Sequence, residues 1–91
     1  MLLKWPPKDP DEVLDYGIDW TARLAGDTII SSGWIIIPDE VTKDSDIYTE
    51  TSTTIWVSGG TLGASPSVTN RIVTAGGRTM DQSVILPIRN K

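Results

Sequence analysis

Apolar and polar positions alternate along the chain from residue 16 onward. Between residues 16 and 24, the apolar side chains Ile18, Trp20 and Leu24 fall on one face, and the polar side chains Asp19 and Arg23 fall on the other. A period of two residues is typical of a strand that buries one face. The pattern therefore predicts a strand over residues 16–24.

Further segments rich in Ile, Val, Thr and Trp follow at short intervals, separated by glycine- and proline-containing turns. Strands are expected over residues 28–37, 47–50 and 54–58 and in the stretches SVTNRIVT and MDQSVILPIR, with PDEVTKDSD as an acidic loop. No segment shows a convincing helical period. The sequence therefore predicts an all-β fold, an antiparallel immunoglobulin- or fibronectin-like β-sandwich of six to seven strands.

The first fifteen residues do not fit this pattern. Pro6, Pro7 and Pro10 remove backbone donors and favour extended geometry in the residues before them. Asp9 followed by Pro10 suits a single helical turn at most. We expect an extended, proline-rich N-terminal arm over residues 1–15 and a sandwich domain over residues 16–91.

The tryptophans separate into core and surface positions. Trp20 and Trp34 share the parity of the apolar residues in their strands, so both are expected inside. Trp56 lies between Ile55 and Val57, and if those two face the core, Trp56 faces outward. An exposed tryptophan is a candidate contact for another molecule.

The arm carries the other candidate contacts. Trp5 stands beside two prolines, and it either folds back on the sandwich or docks on another chain; we expect docking. The predicted partner-binding residues share an apolar or aromatic side chain in the arm, at the start of the sandwich or on its outer face: Trp5, Val13, Leu14, Tyr16 and Trp56.

Composition excludes most chemistry. The chain has 91 residues, a net charge of −4, no cysteine and no histidine, so thiol chemistry and the commonest general base are missing. The acidic charge disfavours nucleic acid as a partner, and no apolar run is long enough to cross a membrane. We expect a non-enzymatic protein without catalytic residues, cofactor or metal, and with no nucleic-acid or membrane partner.

The acidic loop is a candidate calcium site by its composition. Asp39, Glu40, Asp44 and Asp46 place four carboxylates close together, and Ca²⁺ prefers several oxygen ligands. The spacing and the glycine of a calcium-binding loop are missing, so a solvated turn is favoured.

Four stretches resemble a known family: KDPDEVLDYGIDW, GDTIISSGW, TTIWVSGG and VTNRIVTAGGRTMDQSVILPI. They are similar to small virion proteins of tailed bacteriophages and prophages, described as phage fiber-tail adaptor or head–tail accessory proteins. The resemblance implies an immunoglobulin-like structural module in the virion, made in the host cytoplasm and joining or decorating head–tail or tail-fibre components. It implies other phage structural proteins and further copies of the chain as partners.

A second function stays open from the residues alone. Many small sandwiches bind carbohydrates or cell surfaces through exposed aromatic side chains. In that case Trp56 and Tyr48 would stack on sugar rings.

Overall fold

Residues 3–91, which the structure describes, form two β-sheets packed as a sandwich in the computed structural model. One sheet has the strand order β1 (Leu3–Lys4), β7 (Thr79–Ile85), β6 (Ser67–Thr74) and β3 (Ile29–Ile37). The other has the order β2 (Leu14–Asp19), β5 (Ser52–Ser58) and β4 (Thr42–Tyr48). Neighbouring strands are antiparallel, except that β1 and β7 are parallel. The expected all-β sandwich is confirmed, and an immunoglobulin-like topology stays a prediction.

The first predicted strand is shorter than its pattern indicates. β2 ends at Asp19, and Thr21–Leu24 form a helical turn, α1. The Asp19 carboxylate accepts hydrogen bonds from the backbone N–H and the hydroxyl of Thr21, at 2.9 and 2.6 Å, which favours a turn over a continued strand. Trp20 and Leu24 are both buried because residues four apart lie on one face of a helix. The expected strand through residue 24 is therefore wrong.

The second correction concerns the acidic segment. Most of it is strand β4, which pairs with β5 and has a bulge between Lys43 and Ser45. β4 is an edge strand, and its side chains are almost all exposed. An edge strand in water needs no apolar alternation and is commonly charged, so the pattern indicated a loop. The strand expected over residues 47–50 therefore starts and ends earlier, whereas those over residues 28–37 and in SVTNRIVT are confirmed as β3 and β6.

The apolar side chains between the sheets form two clusters. The smaller one surrounds Trp20 and Leu24. The larger one spans both sheets and the C-terminal segment and consists of Tyr16, Val41, Ile55, Val57, Val68, Leu86 and Ile88. Both clusters contain few residues, as expected for a chain of this length.

A buried amide connects the two sheets. Asn70 on β6 accepts hydrogen bonds from Trp20 Nε1 at 2.9 Å and from the Thr53 hydroxyl at 2.7 Å. Its amide nitrogen donates to the Ser32 hydroxyl and to the Gly33 carbonyl, both at 2.9 Å. Because every donor and acceptor of this side chain is used, the network stabilises the core instead of opposing its burial.

Candidate functional site

The aromatic residue of the arm is held against the sandwich of the same chain. The Trp5 ring stacks on Tyr16, with centroids 4.8 Å apart and an interplanar angle of 18°, and it also contacts Trp34. The Tyr16 hydroxyl donates to the Pro6 carbonyl at 3.1 Å, and Leu14 packs on the same core cluster. Trp5 thus folds back on the sandwich of its own chain, and a contact of these residues with a partner stays a prediction.

Backbone hydrogen bonds continue this attachment along the arm. The Trp5 N–H donates to the Ile85 carbonyl, and the Lys8 N–H donates to the Pro87 carbonyl, each at 3.0 Å. The Arg89 N–H donates in return to the Lys8 carbonyl at 2.9 Å. The arm therefore runs as an extra parallel edge beside the C-terminal segment. Residues 1 and 2 of the predicted arm lie outside the described residues.

A buried lysine fastens the arm, and no sequence signal indicated it. The Lys8 side chain has no exposed surface, and its Nζ donates to the carbonyls of Gly59 at 2.6 Å and Asp9 at 2.9 Å. Burial lowers the pKa of Lys8, while the nearby carboxylates of Glu12 and Asp9 act in the opposite direction. From the sequence alone, a lysine in a proline-rich arm is expected to be solvated, so only the structure reveals this contact.

The outer face of the three-stranded sheet presents the accessible candidate residues. Trp56 is half-buried and points outward, opposite Asp15 on β2 and Ser45 on β4, while Ile55 and Val57 beside it are buried. The predicted outward parity of Trp56 is therefore confirmed.

Other apolar side chains share that face. By strand alternation Val13 continues the outward row of β2, and it is 62% exposed. Ile47 on β4 lies opposite Thr54 in the same outward row and is 57% exposed. We call the surface made by Val13, Ile47 and Trp56 the outer patch. Its flanking carboxylates, Asp15 and Asp19, make the surface around it acidic.

Trp56 and Tyr48, the candidate sugar-binding aromatic residues, do not form one platform. Tyr48 lies opposite Thr53, whose side chain is buried between the sheets, so it has the opposite parity to Trp56. Its hydroxyl also donates to the Ile30 carbonyl at 2.7 Å. Stacking of one sugar on both rings would require them to share a face.

The carboxylates of the candidate calcium site have other partners in the fold. Asp46 pairs with Lys43 at 2.9 Å, and Asp44 accepts a hydrogen bond from the Ser58 hydroxyl at 3.0 Å. Among residues 3–91, no three carboxylates come together in a way that suits a metal ion. The same part of the chain contains no helix long and apolar enough to cross a membrane.

Comparison with known proteins agrees with the resemblance. Residues 8–87 match the family model Gp77, described as podophage GP4 fiber-tail adaptor protein gp77. None of the curated proteins compared with the chain matches it. The match covers the arm from Lys8, strands β2 to β7 and the C-terminal segment up to Pro87. The chain therefore belongs to the podophage GP4 fiber-tail adaptor family, whose members are structural components of the virion.

Proposed function

We propose that this protein is a non-enzymatic adaptor that joins tail and fibre components of a phage particle, and that its outer patch makes the contact. The observation that supports this most directly is the outward-facing Trp56 on the same face as the exposed Val13. Tryptophans in the centre of a contact surface commonly carry much of the binding energy. The remaining outward residues of β5 are serine and threonine, which leave the indole accessible.

The arm has a second role in this proposal. Trp5, Leu14 and Tyr16 form the seat that holds the arm, so they reach a partner only when the arm leaves that seat. When the arm is held there, these three side chains fix the start of β2 and therefore the position of Val13. We further propose that the adaptor works as a homo-oligomer, because several copies multiply the strength of a small contact.

Binding to tail particles assembled without this protein tests the proposal. The purified full chain is mixed with such particles, and the bound fraction is measured by co-sedimentation. Trp56→Ala is expected to weaken binding by about tenfold or more, as a central contact tryptophan does. Leu62→Ala is the control, because Leu62 is an exposed apolar residue in the loop between β5 and β6 and is not part of the outer patch.

Two results would contradict the proposal. If Trp56→Ala binds tails as well as the unaltered chain does, the outer patch is not the contact. If the unaltered chain does not bind tail particles but binds a glycan array in a Trp56-dependent way, the result favours the carbohydrate-binding function.

A further inference from the structure

Strand β3 is an edge strand with unusual properties. It is nine residues long, carries no charged residue and no proline, and pairs only with β6 within residues 3–91. Its side chains Ile35 and Ile37 are 51% and 65% exposed. Natural edge strands are commonly short, charged or interrupted by proline, because a long apolar edge pairs with other chains. This edge is therefore a candidate site for pairing with a strand of another chain.

The outward side chains of β3 follow a size pattern. Ser31 and Gly33 are small, whereas Ile35 and Ile37 are large, and all four point to the outer face of the sheet. No heavy atom beyond the chain neighbours of Gly33 lies within 4 Å of the position a Cβ would occupy. An open groove of about 360 Å³ lies over Gly33, and Ile35 and Val73 are among the residues that line it.

We propose that β3 pairs antiparallel with β3 of a second copy, about a two-fold axis at Trp34. In this register Gly33 lies opposite Ile35 of the second copy, and Ser31 lies opposite Ile37. Each small residue thus faces a large one, and each Ile35 enters the groove above the other copy's Gly33. The Tyr48 hydroxyl donates to the Ile30 carbonyl, and the Ile29 N–H donates to the Glu50 carbonyl, so the free part of this edge covers residues 31–37, with Trp34 at its midpoint.

Charge also favours a second copy at β3 over the other edges. The chain has a net charge of −4, and β2 carries Asp15 and Asp19 while β4 carries Asp44 and Asp46. If β2 paired with itself about Gly17, Asp15 would lie opposite Asp19, and if β4 paired with itself about Ser45, Asp44 would lie opposite Asp46. Like charges directly opposite each other destabilise a strand pair. The remaining edge, β1, has only two described residues. Pairing through β3 brings no charges of that strand together.

This inference deepens the proposed function, on which it rests, by naming the surface through which copies associate. Sedimentation equilibrium of the full chain, up to about 1 mM, is expected to show a monomer–dimer equilibrium with a dissociation constant on the order of micromolar or weaker, since the contact is small. Ile35→Lys is expected to weaken dimerisation by at least about tenfold, because it buries a charge in the groove. Leu62→Lys is the matched control, because Leu62 is 54% exposed and lies in the loop between β5 and β6, outside both β3 and the outer patch.

A second variant separates dimerisation from folding. Gly33→Val adds a side chain where space is open and where the backbone is ordinary strand, so the melting temperature is expected to stay equal or rise. The added side chain fills the place of Ile35 from the second copy, and dimerisation should fall as it does for Ile35→Lys. Single-cysteine variants Gly33→Cys and Ile35→Cys should form the mixed disulfide faster than either symmetric one.

The outcomes distinguish this inference from the proposed function. A chain that stays monomeric at every concentration, or a dimer that Ile35→Lys and Gly33→Val leave intact, overturns the pairing through β3. A dimer lost in both variants and kept in Leu62→Lys supports it. Tail binding is measured separately with Trp56→Ala, so a failure there with an intact dimer counts against the outer patch alone.

Discussion

The Lys8 ammonium lies 2.6 Å from the Gly59 carbonyl oxygen, and this contact joins residues 51 positions apart in the sequence. One end belongs to the arm and the other to the turn that follows β5. A lysine without exposed surface is rare unless it is paired, and here it is paired with two carbonyls. The arm is therefore fastened at a defined point of the sandwich.

Replacing this ammonium should loosen the chain measurably. Lys8→Met keeps most of the buried stem and removes the donor, so the free energy of unfolding is expected to fall by about 1–2 kcal/mol. Urea unfolding followed by tryptophan fluorescence measures the change. Lys4→Met is the control, because Lys4 is an exposed lysine in the same arm. An equal effect of the two substitutions would show that desolvation of the Lys8 ammonium cancels its hydrogen bonds.

The stacked pair Trp5 and Tyr16 predicts that the arm stays seated in the isolated protein. Trp5→Ala removes the stack and the contact with Trp34, and it is expected to cost about 2–3 kcal/mol of unfolding free energy. Leu3→Ala, at a more exposed site on the same arm, should cost much less. Hydrogen exchange supplies an independent measurement, since the bonded amides of Trp5 and Lys8 should be protected. Rapid exchange at both would mean that the arm is free.

The core strands could be predicted from sequence because burial imposes a period of two on them. β3 and β6 follow that rule, and the outward parity of Trp56 follows from the burial of Ile55 and Val57. β4 could not be predicted, because an edge strand in water is not required to alternate. The turn Thr21–Leu24 was missed because the spacing of Trp20 and Leu24 fits both a strand face and a helical turn.

The seat of the arm was less predictable than the sandwich. The sequence indicates that Trp5 packs on a surface. It does not indicate whether that surface belongs to the sandwich of the same chain or to another chain, since an aromatic residue beside prolines suits both. The Lys8 contact depends on where the Gly59 turn falls in space, and no local pattern encodes that distance. Local spacing specifies the strands, whereas the pairing of arm and sandwich depends on long-range contacts.

The two inward tryptophans should respond differently to the same substitution. Trp20 Nε1 donates to Asn70, whereas Trp34 Nε1 is buried and has no hydrogen-bond partner among the described residues. Trp20→Phe leaves a buried acceptor short of a donor, so it is expected to cost about 2–3 kcal/mol. Trp34→Phe removes an unsatisfied donor and should cost about 1 kcal/mol or less. Urea unfolding of both variants checks this, and equal costs would contradict it.

A carboxylate near the end of α1 connects the helical turn to the hairpin between β6 and β7. Asp27 accepts hydrogen bonds from the backbone N–H groups of Thr28 at 2.8 Å and Gly76 at 3.0 Å, and it pairs with Arg78 at 3.2 Å. The Thr74 hydroxyl, then these amides and the Arg78 guanidinium, lower the pKa of Asp27 from 3.8 to about 2. The folded chain therefore holds this group ionised at pH values where the unfolded chain protonates it.

Stability should consequently fall in acid through Asp27. A group whose folded pKa is depressed contributes stability that is present above its unfolded pKa of 3.8 and is lost as the pH falls toward its folded value of about 2. Asp27→Asn should remove that part of the pH dependence, whereas Asp11→Asn, at an exposed carboxylate, should leave the curve nearly unchanged. Urea unfolding at several pH values between 2 and 5 measures both variants. If Asp27→Asn loses stability in acid as steeply as the unaltered chain does, other carboxylates cause the loss of stability in acid. The contact between Asp27 and the hairpin is then not its main source.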